Sequence, residues 1–434
     1  MLTFAIMLLI HNALFADGTR GWLAADGPVI HSRGAGDAPA QILDTATEVV
    51  DAHGAMLLPG VIDAHVHFRE PGLTAKATIA SESRAGLAGG VTSYIEMPNT
   101  VPATVTIADW EDKMQRAEAT SASNYAFMLG ATAGNLSELQ RADFSAVAAV
   151  KVFMGSSTGN MLLADESPLR AVFADQPGRV VVHAEDQNII EANMRRYTPL
   201  PDPDNMMWHT RIRSSDACVR ATARAMELAT RYGTRLHVAH VTTMAEASLF
   251  DPAQSPNGKQ ITAEVSPHHL LHCCDDYARL GSRIKMNPAV KTAADRDSLR
   301  RGIIDGRLDI IATDHAPHLL ADKAGDVLHA ASGAPMLQFS LVTMLDLLPP
   351  HLVALRMAEA PARLFGIERR GRLEPGWYAD MVLVERLSEP HTITDSDVLS
   401  SCGWTPMTGY TTHHRVLRTW VNGGMGPMAL RFKN

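Results

Sequence analysis

The sequence predicts an α/β protein, a (β/α)₈ barrel of the TIM type carrying a small β-sandwich domain formed by the N- and C-terminal segments. Three observations lead there. Between residues 60 and 370, eight short apolar runs alternate with helical stretches, as parallel βα units require. Several of the runs end in histidine or aspartate, and in such a barrel the C-terminal strand ends form the active-site face. The two ends of the chain read instead as short β segments broken by glycine and proline. The expected division is 1–58 and 371–434 for the two parts of the small domain, with 59–370 as the barrel.

Composition sets the outer limits. A chain of 434 residues with 46% hydrophobic and 20% charged content can bury a large core. Its formal net charge of −8, without a Lys/Arg cluster, argues against a nucleic-acid partner. An anionic small-molecule substrate must then be drawn in by a local cation. The four cysteines, Cys218, Cys273, Cys274 and Cys402, lack Cys-x-x-Cys spacing and read as packing residues of a reduced, cytoplasmic protein. The opening MLTFAIMLLI has no basic lead or small-residue cleavage site and is too short to cross a bilayer, so it is read as a buried first strand.

After that strand, Gly21 to Ala24, Glu48 to Asp51 and Met56 to Leu58 complete the N-terminal β segments. The eight barrel runs are Val61 to Val66, Val91 to Met97, Tyr125 to Leu129, Val147 to Phe153, Arg179 to His183, Leu236 to Val241, Gln260 to Val265 and Leu308 to Thr313. Helical spacing or composition fills the intervals, as in Ala75 to Ala88, Ala108 to Thr120 and Ser214 to Tyr232. Met381 to Glu385 and Val416 to Val421 are the C-terminal strand candidates.

Chemistry concentrates at the ends of the runs. Pro59 to Gly72 reads Pro-Gly-Val-Ile-Asp-Ala-His-Val-His-Phe-Arg-Glu-Pro-Gly, and His65 and His67 share one face of a strand, with Arg69 on the same parity. Two imidazoles beside a guanidinium suit a divalent metal next to an anion site. An isolated His-x-His is as readily a pair of satisfied surface histidines, so the remaining ligands decide. His183 ends the fifth run, His240 the sixth, and Asp314 follows the eighth. Each alone has a plain structural role, as a core histidine or a helix cap, but all of them at one barrel mouth point to a metal centre. Lys151 lies inside Ala-Val-Lys-Val-Phe-Met, where an ammonium needs a partner or a lowered pKa. It is either half of a structural ion pair or an uncharged amine that takes up carbon dioxide as a carbamate.

These motifs resemble the dihydroorotases of the amidohydrolase superfamily. The resemblance rests on His-Val-His-Phe-Arg-Glu-Pro-Gly, on Glu96-Met97-Pro98-Asn99-Thr100 and on Thr313-Asp314-His315-Ala316-Pro317-His318, and it spans the barrel. It implies two zinc ions, with other divalent ions as substitutes. His65, His67 and Asp314 would hold one, His183 and His240 the other, with a carboxylated Lys151 between them. The implied reaction is the reversible cyclisation of N-carbamoyl-L-aspartate to L-dihydroorotate in pyrimidine biosynthesis, with Asp314 as the catalytic proton carrier. The resemblance also implies substrate-binding roles for Arg69, Asn99, Asn287, His318, Ser332 and Gly333, a homo-oligomer (dimer or tetramer), and no membrane partner. Asn287-Pro288-Ala289-Val290-Lys291 departs from the family pattern, which has a second proline after the first and often an arginine further on. Hydantoinases, dihydropyrimidinases and allantoinases share the metal pattern, whereas Arg69 suits a ring that bears a carboxylate. A non-catalytic scaffold subunit would be expected to lack ligands, and here every position is filled.

Overall fold

The computed structural model describes residues 7–156, 161–252 and 258–433, so the first six residues of the opening run lie outside the described residues. The N-terminal segment supplies β1 (Met7–Phe15), β2 (Arg20–Asp26), β3 (Val29–Ala35), β4 (Glu48–Asp51) and β5 (Met56–Pro59). The barrel strands are β6 (Val61–Val66), β7 (Val91–Glu96), β8 (Asn124–Phe127), β9 (Leu129–Gly130), β10 (Val150–Phe153), β11 (Val180–His183), β12 (Leu236–Val238), β13 (Ile261–Val265) and β14 (Ile310–Ile311). Two long strands, β15 (Met381–Thr392) and β16 (Thr411–Trp420), follow.

The barrel strands run parallel in chain order, β6 to β8 in one ladder and β9 to β14 in the other. β8 and β9 are one strand that changes partner: Met128 N–H still donates to Glu96 O at 3.0 Å, while Leu129 N–H donates to Ala149 O at 3.1 Å. The ring closes through a parallel bridge between Val66 and His315, where His67 N–H donates to His315 O at 2.7 Å. Eight strand positions result, as the eight runs predict.

Alternation places the site. Val150, Val152, Val180, Val182, Leu236, Val238, Ala263 and Val265 belong to the core between strands and helices. The residues between them, among them Lys151, Val181, His237, Thr262 and Glu264, therefore face the inside, because successive side chains of a strand point to opposite faces. A second core, including Ile62, Ala64, Ile95, Val181 and Ile310, fills the barrel interior.

Several runs are shorter as ladders than as apolar sequence. Val147 N–H turns back to Asp143 O at 2.9 Å, so the fourth strand starts at Val150. The sixth ends at Val238, and His240 leaves it with a φ of 36°. Helices begin where a side chain caps them: Thr78 accepts from Ser81 N–H at the start of Ile79–Ala88, and Thr106 accepts from Asp109 N–H at the start of Ile107–Thr120. Ser215–Tyr232 ends at Gly233, whose φ of 71° is the left-handed conformation that glycine takes most easily.

The terminal segments form one seven-stranded sheet, β16-β15-β5-β1-β2-β3 with β4 against β1. Antiparallel β15 joins the C-terminal hairpin to β5 through Met381–Pro59 and Val384–Met56 pairings. Leu8, Ile10, Leu23, Leu57, Met381 and Trp420 make its core. The chain then returns to the barrel, where Leu430 and Phe432 join the interior core beside Phe365. No helix of the described residues is long and apolar enough to cross a membrane.

Candidate active site

One small cavity at the C-terminal face is lined by His65, His67, Lys151, His183, His240 and Asp314. Arg69, Asn99, Asn287, Ser332 and Gly333 line it as well. Of the residues singled out in the sequence, His318 alone stays off the wall. It stands behind Arg69, its Nε2 3.1 Å from Arg69 Nη2. Three residues that reach the cavity, Arg69, His240 and Asp314, have φ values of 68°, 36° and 49°. Side chains other than glycine enter that region at a cost, and such strain gathers at functional sites.

The ring nitrogens show what the site can hold. A neutral imidazole has one N–H and one lone pair, and an oxygen seated behind the ring that accepts the N–H leaves the lone pair for the cavity side. Glu264 Oε1 accepts from the N–H of His65 Nδ1, and Glu185 Oε2 accepts from that of His183 Nε2 at 2.9 Å. Asn99 Oδ1 faces His67 Nδ1 at 2.6 Å. The lone pairs left over point inward. His65 Nε2 and His67 Nε2 lie 3.3 Å and 3.1 Å from Asp314 Oδ1, and these three side chains form a group able to grip one metal ion. His183 Nδ1 lies 2.9 Å from His240 Nε2, a second convergence of nitrogens. Metal-binding histidines usually have their far nitrogen tied, as His65, His67 and His183 do here, whereas His240 Nδ1 is buried with no hydrogen-bond partner among the described residues. The donor set fits divalent metal.

Lys151 fits as well. It is fully buried, and its Nζ has no hydrogen-bond partner among the described residues. Burial lowers its pKa to about 8, against the pull of Glu264 and Asp314. The amine shares the cavity wall with both groups of ligands, where an unpaired ammonium would be costly.

Electrostatics keep these ligands ready. Burial favours neutral imidazole and takes His67 down to about 3, and it lowers His183 and His240 too. Burial alone would raise Asp314, but His65, His67 and His240 outweigh it and hold the carboxyl well below its usual range. Neutral imidazoles and an ionised carboxylate are the protonation states that bind metal.

The supporting residues were not singled out in the sequence. Glu264 holds His65 and, through Oε2, His237 Nε2 at 3.0 Å, and it accepts from His240 N–H at 3.2 Å. Glu185 holds His183 and is itself paired with Arg213, which also donates to Ser156 O at 2.6 Å. Asp63 accepts from Thr313 N–H at 3.0 Å, fixing β14 against β6 just before Asp314. A signal existed: Asp63, Glu96 and Glu264 are carboxylates inside apolar strand runs, and a buried acid needs a partner.

On the substrate side, Arg69 is buried with Nε donating to Pro317 O at 2.9 Å, while Nη1 has no hydrogen-bond partner among the described residues. Asn287 Oδ1 is likewise buried and unpaired. Lys291, in the stretch that departs from the family pattern, does not line the cavity and donates to Ala289 O at 2.7 Å.

The sequence model of the amidohydrolase family matches residues 56–425. A dihydroorotase of Halobacterium salinarum is 36% identical over 413 residues, 93% of each chain. An allantoinase of Rubrobacter xylanophilus is 33% identical over 392 residues, 87% of this chain and 85% of its own. The solved L-hydantoinase (dihydropyrimidinase) of Arthrobacter aurescens matches with a TM-score of 0.90 over 98% of this chain and 99% of that one, at 27% identity. Barrel, converging metal-competent nitrogens and a family match across the whole barrel agree: the chain belongs to the amidohydrolase family, as a metal-dependent cyclic amide hydrolase.

Proposed function

We propose that this amidohydrolase is a dihydroorotase, closing N-carbamoyl-L-aspartate to L-dihydroorotate and reopening it. The observation that carries the reading is the buried Arg69 guanidinium, which presents an unpaired Nη1 at the metal-competent cavity. A buried cation with a free donor calls for an anion, and a guanidinium holds a carboxylate through two parallel hydrogen bonds. Dihydroorotate carries a carboxylate on its ring; hydantoin and dihydrouracil do not. The 36% identity to a dihydroorotase supports the same reading.

In this proposal His65, His67 and Asp314 would hold one zinc ion and His183 and His240 the other, with Lys151, as a carbamate, supplying further oxygen ligands. When bound, the metal pair would polarise the amide carbonyl and activate water. Asp314, buried and ionised, moves the proton between the water side and the ring nitrogen. Arg69, with His318 behind it, takes the ring carboxylate, and Asn99 and Asn287 flank it, with the Ser332–Gly333 backbone opposite. The proposal sets the enzyme in the cytoplasm, in keeping with four buried cysteines that form no disulfide. Allantoinase is the second reading, favoured by the 33% identity to the Rubrobacter protein.

Kinetics of Arg69→Ala and the parent on dihydroorotate, dihydrouracil and allantoin test the assignment. The parent should prefer dihydroorotate. The variant should lose about 2–5 kcal/mol in kcat/KM on dihydroorotate, with metal content retained and little change on uncharged rings. A parent that prefers allantoin or dihydrouracil, or a variant equally impaired on every ring, refutes the dihydroorotase reading.

A further inference from the structure

Lys323 is nearly fully buried. Its Nζ donates to Lys285 O at 3.1 Å, Ala331 O at 2.6 Å and Gly333 O at 2.9 Å. Three carbonyls use all three hydrogens of an ammonium, while a neutral amine has only two to give. Its neighbour in sequence, Asp322, is engaged elsewhere, by Lys76 Nζ at 3.3 Å and Leu319 N–H at 3.2 Å. Burial works against the charge and lowers the Lys323 pKa well below its usual value, so what holds the ammonium is this ring of backbone dipoles in place of a carboxylate.

Those dipoles belong to the loop that reaches the cavity. Lys285 O also accepts from Gly333 N–H at 2.9 Å, and the Lys285 amine donates to Ala330 O. Two lysines thus clamp residues 330 to 333 from behind. In a trans peptide the carbonyl and the following N–H point opposite ways. With Ala331 O turned to Lys323, Ser332 N–H is turned away from it. Ser332 lines the cavity, and its N–H has no hydrogen-bond partner among the described residues.

We infer that Lys323 is a positioning residue whose caged ammonium aims the Ser332 N–H into the cavity as a donor for the substrate's carboxylate. The inference rests on the carboxylate reading of the site for the identity of the ligand, though not for the clamp itself. Arginine cannot replace it, because a planar fork cannot reach three carbonyls arranged around one nitrogen.

The test is Lys323→Met and Lys323→Arg in the full-length metal-loaded enzyme, read by hydrogen–deuterium exchange and by kinetics on dihydroorotate. Expected are faster exchange at Gly333 with the barrel-strand amides unchanged, unaltered zinc content, and a KM raised roughly 10- to 100-fold while kcat stays within about threefold. Unchanged exchange at Gly333, or a full loss of kcat with KM kept, overturns the inference. If the parent ignores dihydroorotate, the substrate reading falls while the exchange result still judges the clamp. If Lys323→Met does not fold, Gly333→Ala serves instead, because an added Cβ there meets Ala316 O at 2.8 Å and displaces the same loop with Lys323 intact. It should raise KM similarly, and a parental KM would overturn the inference.

Discussion

Three buried lysines show how differently one side chain is used in this fold. Lys113 sits on the Glu96 carboxylate and also donates to Met97 O at 3.1 Å, and Lys323 sits in its ring of carbonyls. Lys151 has no hydrogen-bond partner among the described residues. Burial draws its pKa to about 8, so near neutral pH a usable fraction of the amine is unprotonated and open to carbon dioxide. A carbamate there would add two oxygens and a negative charge between two cations that otherwise repel. Lys151→Ala should therefore lose metal affinity by at least the roughly 10- to 100-fold seen when a supporting group is removed, together with most of the activity. Elemental analysis after dialysis checks this, and short carboxylic acids should restore part of both. Parental zinc content in the variant would return Lys151 to a structural role.

At the scale of elements, β7 and the helix Ile107–Thr120 act as one support. Glu96 ends the strand, accepts from Phe68 N–H at 3.2 Å and pairs with Lys113 from the helix. Phe68 precedes Arg69, so the pair fixes the backbone that presents the guanidinium. Burial works against both charges, raising Glu96 and lowering Lys113 despite their attraction. Such a pair adds little net stability, yet breaking it is expensive because one charge remains buried alone. Lys113→Met should cost about 3–5 kcal/mol in denaturant unfolding. Adding Glu96→Gln should recover much of that loss, since the stranded charge is then gone. A single variant within about 1 kcal/mol of the parent would show that the carboxylate is relieved some other way.

Across the whole molecule, the floor of the barrel is completed by the far end of the chain. Leu430 N–H donates to Tyr125 O at 2.9 Å and Phe432 N–H to Ser145 O at 3.0 Å, and both side chains are buried in the interior core. The site lies at the opposite, C-terminal face of the strands. Phe432→Ala should therefore cost about 3–5 kcal/mol of stability, as for other buried phenylalanines, while kcat/KM of the folded enzyme stays at the parental value. Thermal unfolding and steady-state kinetics on one preparation decide it. A comparable loss of catalysis at temperatures where the variant is fully folded would show that floor and mouth are coupled.

The sequence by itself determined the barrel, because eight short apolar runs with helical stretches between them leave few other ways to bury so much surface. It also pointed to the residues that line the mouth, since parallel strands put their C-terminal ends on one side and the histidines and aspartate singled out lie at or just past such ends, with Lys151 inside its strand. Only the tertiary structure decided what stands behind them. Glu264 lies 199 residues from the His65 it holds, and Arg213 lies 28 from Glu185. The clamp of Lys323 on Ala331 and Gly333 is made of backbone carbonyls, which carry no sequence signature. Strand period and composition are local properties of the chain. The proton on a ring nitrogen and the direction of a loop N–H depend on partners that only the closed barrel brings within 3 Å of one another.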